Sequence, residues 1–218
     1  MQKANIYIDG FNFYNGLVDS DWKKYYWLDI VKFSSIILST LKSTPELNKA
    51  YYFSAPPHNH LAKQKRQGRF FLANQQNDKF NLVLGFHKDK SKYCSNCNTK
   101  ISMSEEKQTD VNIALHMLGC AAKKHCNLSI LVSGDTDMIP IIKAIKDIDS
   151  RHQIMVFFPP KRKTNEMISY VDGWRNLEEY EWAFKKSILP LVVNINKKVD
   201  GKHCVEIPQK WKNYINGI

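Results

Sequence analysis

Residues 128–142 read L-S-I-L-V-S-G-D-T-D-M-I-P-I-I, and the change of pattern midway decides the fold. Leu128, Ile130, Leu131 and Val132 form a near-continuous apolar run, as in a strand buried on both faces of a parallel sheet. Ser133-Gly134 breaks it, and Asp135 and Asp137 follow with one residue between them. Met138, Ile139, Ile141, Ile142 and Ile145 then take helical spacing. Pro140 is tolerated because it falls in the first turn, where its missing N–H had no partner to lose. Two carboxylates therefore stand at the C-terminal tip of a buried strand, where open α/β sheets place ligand sites. Like charges this close repel unless a cation sits between them. The plainer reading is that one aspartate caps the helix and the other complements its dipole.

Outward from this stretch, strands and helices alternate. Residues 5–8 (N-I-Y-I) are a short strand ending in Asp9-Gly10-Phe11-Asn12, so an acid again stands at a strand tip. Asp29 is a helix cap with Ile30, Phe33, Ile37 and Leu41 behind it. Residues 49–55 and 80–86 are further strands, separated by a polar helix over 58–77. Residues 87–104 read as a basic loop insertion carrying Cys94 and Cys97. A helix opens at Glu105, with Val111, Ala114, Leu115, Leu118, Ala121 and Ala122 as its apolar stripe. Residues 153–158 are a fifth strand, and a short helix over 165–171 ends near Asp172-Gly173. Alternating runs on either side of Asp200-Gly201 signal a hairpin. These elements predict an α/β sandwich around a mainly parallel sheet of about five strands, spanning residues 1–185, with a hairpin appendage over 186–218.

Lysine plus arginine exceed aspartate plus glutamate by 32 − 21 = 11 across the 218 residues. That excess implies a polyanionic partner, and nucleic acid fits better than an anionic membrane. No stretch approaches the ~20 apolar residues of a membrane span. The N-terminal residues lack a signal peptide's apolar core, and five scattered cysteines argue for a reducing, cytoplasmic setting rather than a disulfide framework. Lys63, Lys65, Arg66 and Arg69 form one basic cluster, Lys88, Lys90 and Lys92 a second, and Lys161, Arg162 and Lys163 a third. Each reads as a phosphate-contacting surface or, more plainly, as a solvated face.

Asp9, Asp110, Asp135 and Asp137 come from three segments, each placed at a strand end or a helix start. Lys107 precedes Asp110 by three residues. Carboxylates converging on one sheet edge would raise one another's pKa values unless divalent cations bind, and hard oxygen donors suit Mg2+ or Mn2+.

D-G-x-N at Asp9 to Asn12, K-x-x-D at Lys107 to Asp110 and S-G-D-x-D at Ser133 to Asp137 together resemble the motifs of the NYN domain family, within the PIN-like nuclease group. The resemblance covers about residues 3 to 180. It implies a Rossmann-like three-layer fold and metal-dependent RNA cleavage. By motif match, Asp9, Asp110, Asp135 and Asp137 are metal carboxylates, Asn12 and Lys107 are pocket residues, and Asp172 matches a later acidic position. Ser133 is expected to fix the turn and to lie with Lys63, Arg66, Arg69, Lys161 and Arg162 on the substrate side. It has no histidine or second base spaced to make it a nucleophile. Two rival functions stand beside the nuclease. One is a nucleic-acid-binding module without turnover, and the other is a phosphohydrolase for a small substrate, which the basic excess disfavours. The expected partner is single-stranded RNA, with homo-oligomerisation left open. Cys94 and Cys97 supply half of a tetrahedral zinc site, with His87, His116 and Cys120 as candidate partners for structural Zn2+.

Overall fold

A computed structural model describes residues 2–57, 60–93, 95–97, 99–199 and 201–215. In chain order the elements begin with β1 (Lys3–Asp9), α1 (Gly10–Asp19), α2 (Ile30–Ser39), β2 (Glu46–Ser54), α3 (Leu61–Asn74) and β3 (Phe80–Leu84). Next come β4 (Phe86–Tyr93), β5 (Lys100–Lys107), α4 (Thr109–Ala122), β6 (Leu128–Val132), α5 (Ile139–Ile148) and β7 (Gln153–Phe158). The chain closes with α6 (Asn165–Ile168), β8 (Gly173–Asn176), α7 (Glu181–Lys186), β9 (Val192–Val199), β10 (Lys202–Glu206) and α8 (Gln209–Ile215).

Six strands form one sheet in the order β3-β2-β1-β6-β7-β8, and every neighbouring pair is parallel. A parallel sheet needs crossover helices, which cover both of its faces and make its central strands apolar throughout. All five residues of β6 are buried, as the continuous apolar run predicts. On one face, Ile6, Ile8 and Ile130 pack with Phe13 and Leu17 of α1, Phe33 and Ile37 of α2, and Phe70 of α3. On the other, Tyr7, Leu131 and Val156 pack with Ile113 and Met117 of α4, Ile142 and Ile145 of α5, and Met167 of α6. Three layers result. The expected cap at Asp29 forms, its carboxylate accepting the Lys32 N–H at 2.9 Å.

Four details differ from the sequence reading. The sheet has a sixth strand, β8, whose backbone pairs with β7 although W-R-N carries no apolar run. The expected basic loop is an antiparallel hairpin of β4 and β5, continuous in register from Phe86↔Lys107 to Tyr93↔Lys100. The helix expected from Glu105 starts at Thr109, because β5 runs through Lys107 and Gln108 takes a left-handed φ of 74°. Lys107 is thus a strand residue rather than a helical neighbour of Asp110. Finally, α4 buries Thr109, Ile113, Met117, Cys120 and Ala121, while Val111 and Leu115 of the expected stripe are exposed. Both sets keep the helical period, and only the position of the sheet decides between them.

The expected C-terminal hairpin is present as antiparallel β9 and β10, with Gly201 at φ 78° in its turn. Asp200 lies outside the described residues. Ile195, Val205 and Ile207 join the core on the α1–α3 face, and the Trp27 indole donates to the Pro190 carbonyl at 2.8 Å.

Candidate active site

From β1 the chain moves outward through β2 and β3; from β6 it moves the other way through β7 and β8. The crevice between the C-terminal tips of β1 and β6 is therefore the topological switch point, where this architecture binds ligands. Asp9 is the last residue of β1, Ser133-Gly134-Asp135 follow β6, and Asp110 lies in the first turn of α4. One carboxylate oxygen from each of Asp9, Asp110 and Asp135 falls within 4.8 Å of the others. Among the described residues this is the one group of three or more acidic, histidine or cysteine side chains so placed.

The trio is held by bonds that interlock two motifs. Asp9 is only 4% exposed. Its Oδ1 accepts the N–H groups of Phe11 at 3.1 Å and Asn12 at 3.0 Å, capping α1. Its Oδ2 accepts the Ser133 hydroxyl at 3.0 Å, and Ser133 Oγ in turn accepts the Asp135 N–H at 3.1 Å. Asn12 Oδ1 accepts the Gly134 N–H at 3.0 Å. The β1 tip is thereby stitched to the β6 tip through side chains on both sides. Asp135 Oδ1 accepts the Asp137 N–H at 3.0 Å, capping the 3₁₀ turn Thr136–Met138. Helix capping and carboxylate clustering thus coexist in the same residues, and the plainer reading of these aspartates is not an alternative to the other.

Two glycines let the backbone close up here. A Cβ on Gly134 would lie 1.9 Å from the Arg162 carbonyl oxygen, so the loop after β7 seats directly on the turn after β6. A Cβ on Gly10 would lie 2.4 Å from the Phe53 carbonyl oxygen and 2.6 Å from the Tyr52 ring, so α1 starts hard against the tip of β2. Tyr52 pairs in register with Ile8, one residue short of the Asp9 tip. Burial first, and the negative charge of Asp9 second, push its phenol pKa up. The sequence reading missed Tyr52; its signal was the register of two strands that both end at this edge.

Other expected site residues fall elsewhere. Asp137 is exposed and outside the trio, because positions two apart in a helical turn do not share a side. Ser133 is fully buried and gives its hydroxyl to Asp9, so it serves the site as a positioning residue. Asp172 stands at the opposite edge of the sheet, accepting the Ile154 N–H at 2.7 Å and pairing with Lys146 at 2.6 Å. That sets it apart from the carboxylate trio. Lys161 pairs with Glu178 at 2.7 Å, Arg162 pairs with Asp19, and Lys163 sits 4.0 Å over the Trp174 ring. Lys63 and Arg66 line a cleft that starts at Gly10, whereas Arg69 is exposed on α3 outside that lining. Cys94 lies outside the described residues, and exposed Cys97 directs its thiol at Thr99 Oγ1, 3.2 Å away. Cys120, a candidate zinc partner, is buried and accepts from Asn5 Nδ2 at 3.1 Å.

The donor set fits a divalent cation. Three carboxylates from three segments, one of them buried and fixed by three donors, concentrate hard oxygen ligands and negative charge at one point.

The NYN domain family model matches residues 3–178. No curated protein matches the chain. Among solved structures, a Vibrio parahaemolyticus protein of unknown function superposes with a TM-score of 0.51 at 19% identity, covering 80% of this chain and 91% of that one. It shows the fold alone. A ribokinase from Giardia lamblia aligns at a TM-score of 0.34 and 12% identity over 70% of this chain and 48% of its own, too weak to carry an argument. With acids of its three motifs brought to one crevice and the family model spanning most of its length, the chain belongs to the NYN domain family, in the PIN-like nuclease group.

Proposed function

We propose that the protein is a metal-dependent ribonuclease that hydrolyses phosphodiester bonds of single-stranded RNA. The observation that carries this reading is the convergence of Asp9, Asp110 and Asp135 at the switch point. Asp9, Asp110 and Asp135 would hold Mg2+ or Mn2+. Such an ion supplies a water acidic enough to attack at neutral pH and charge to offset that on the phosphate and leaving oxygen. Ser133 and the Phe11 and Asn12 N–H groups orient Asp9, so that its two oxygens keep one geometry through turnover. Asn12 ties the β6 turn to α1 through the Gly134 N–H and so fixes Asp135 relative to Asp9. Lys107, at the end of β5 just before α4, brings positive charge to the same edge and balances the trio. Lys63 and Arg66 on α3 contact phosphates of the approaching strand.

The basic excess of 11 fits an RNA partner, and the reduced thiols of Cys120, Cys126 and Cys204 fit a reducing, cytoplasmic compartment. No helix among the described residues is long and apolar enough to cross a membrane. The test is cleavage of a labelled mixed-sequence RNA with Mn2+, with Mg2+ and with chelator. Wild-type protein should cleave only with metal, and Asp9→Asn and Asp135→Asn should each lose activity by orders of magnitude. Cleavage that survives chelator, or either substitution, refutes the mechanism. Tight RNA binding without any cleavage assigns the chain to a binding role instead.

A further inference from the structure

A cleft of about 550 Å³ opens one residue beyond Asp9, with Gly10 and Phe11 in its wall. Its volume lies in the range of sites that hold a single small molecule, roughly 300–1,000 Å³. The walls are aromatic. Phe11 and Tyr14 sit three apart on α1, hence on one side of the helix, and remain 57% and 45% exposed. Tyr14 stacks on Tyr26 with ring centroids 5.0 Å apart, and Tyr26 meets Trp211 edge-on at 5.6 Å. Lys63, Arg66 and Lys210 also line the cleft, and among the described residues its lining carries no aspartate or glutamate. Lys210, Trp211 and Tyr214 belong to α8, beyond the residue at which the family match ends.

Exposed ring faces with cations and no acid are unsuited to a cationic or purely aliphatic ligand. They suit a group that is flat, apolar on its faces and attached to an anion, which describes a nucleobase with its phosphate. Single-strand binders use this combination, a basic track with aromatic side chains on which bases stack. A base pair inside a duplex has no free face to offer, so only an unstacked nucleotide can enter.

We infer that this cleft, closed by α8 from outside the family's matched span, holds one unstacked base of a single-stranded RNA whose neighbouring phosphodiester lies at the carboxylate trio. The inference rests on the ribonuclease reading for its substrate class and adds the site that selects single strands. Phe11 and Tyr14 supply the exposed stacking faces; Lys63, Arg66 and Lys210 meet the flanking phosphates.

The test uses a short labelled RNA in which one nucleotide at a time is replaced by an abasic residue, with binding measured in chelator so that no cleavage intervenes. At one position the replacement should weaken binding about 5- to 100-fold, the contribution of one stacked base, and elsewhere it should change little. In the Phe11→Ala/Tyr14→Ala double variant that position should become indifferent to base removal. Both side chains are exposed, and unfolding curves check that the variant keeps its fold. Affinity that is blind to base removal at every position overturns the inference, as does a double variant as base-sensitive as wild type or a wild type that binds no RNA. The two readings fail separately. Base-selective binding with no metal-dependent cleavage leaves the cleft standing and removes the nuclease, while cleavage without base sensitivity does the reverse.

Discussion

Replacing Ser133 by alanine isolates the side chain that joins the two halves of the site. The hydroxyl is fully buried, donates to Asp9 Oδ2 at 3.0 Å and accepts the Asp135 N–H at 3.1 Å. Alanine fits the space without overpacking, so the change is in polar pairing alone. A hydrogen bond to a charged group contributes about 1.5–3 kcal/mol, and a buried donor left unpaired costs about 1–3 kcal/mol. Asp135 is only partly buried, which places its N–H at the low end of that range. Together they give a loss of about 2–4 kcal/mol, or roughly 5–12 °C in Tm for a domain of this size. Ser35→Ala is the control: among the described residues that hydroxyl bonds the Val31 carbonyl within its own helix, at 2.9 Å, and its loss should cost no more than about 0.5 kcal/mol. Denaturant unfolding at neutral pH in chelator measures both. A Ser133→Ala protein within about 0.5 kcal/mol of wild type would refute the claim that this hydroxyl holds Asp9 and the turn after β6 together.

Three other outcomes follow from named contacts. Asp110→Asn should abolish metal-dependent cleavage whereas Asp137→Asn, outside the trio, should leave most of it; equal losses in the same RNA assay would mean that Asp137 acts beside the other three. Gly134→Ala forces a Cβ toward the Arg162 carbonyl and should destabilise by about 1–3 kcal/mol, read as a lower Tm with the loop after β7 displaced. Burial lowers the pKa of His152, a buried residue just before β7 whose Nε2 lies 2.8 Å from Ser129 Oγ of β6, so the folded protein protonates it only below the ordinary value of 6.5. Below that value the unfolded chain binds the extra proton, so this contribution to stability is complete above pH 6.5 and is lost as pH falls toward the lowered value. Burial lowers His116 in the same direction. His152→Asn should therefore flatten the decline of unfolding free energy below pH 6.5, and an unchanged slope would show that His152 contributes nothing to it.

What the sequence made legible follows from how each element earns its stability. Strand β6 and strand β1 are central and buried on both faces, so their apolar runs and their terminal acids could be read directly. Strand β8 lies at the sheet edge with four half-buried residues, and its backbone pairing leaves no mark on residue type. In the β4–β5 hairpin the ladder also belongs to the backbone, and H-K-D-K-S-K shows no apolar alternation. Glu105, Glu106 and Lys107 are good helix formers, yet they extend a strand because Gln108 turns the chain at positive φ. At the site, Asp9, Asp110 and Asp135 were legible because strand tips and helix starts share one sheet edge. The position of Asp137 outside that close group was not, since it depends on the capping bond that starts the 3₁₀ turn. The aromatic cleft was hidden for a different reason: Trp211 comes from a distant segment, and only the packing of α8 brings it to Tyr26 and the rings of α1.

The carboxylate trio as a cation site is tested most directly by anomalous diffraction from crystals grown with Mn2+. The expected result is an anomalous peak among the oxygens of Asp9, Asp110 and Asp135, lost in Asp110→Asn crystals grown the same way. Well-ordered wild-type crystals with no peak there, or a peak that persists unchanged in Asp110→Asn, would contradict it.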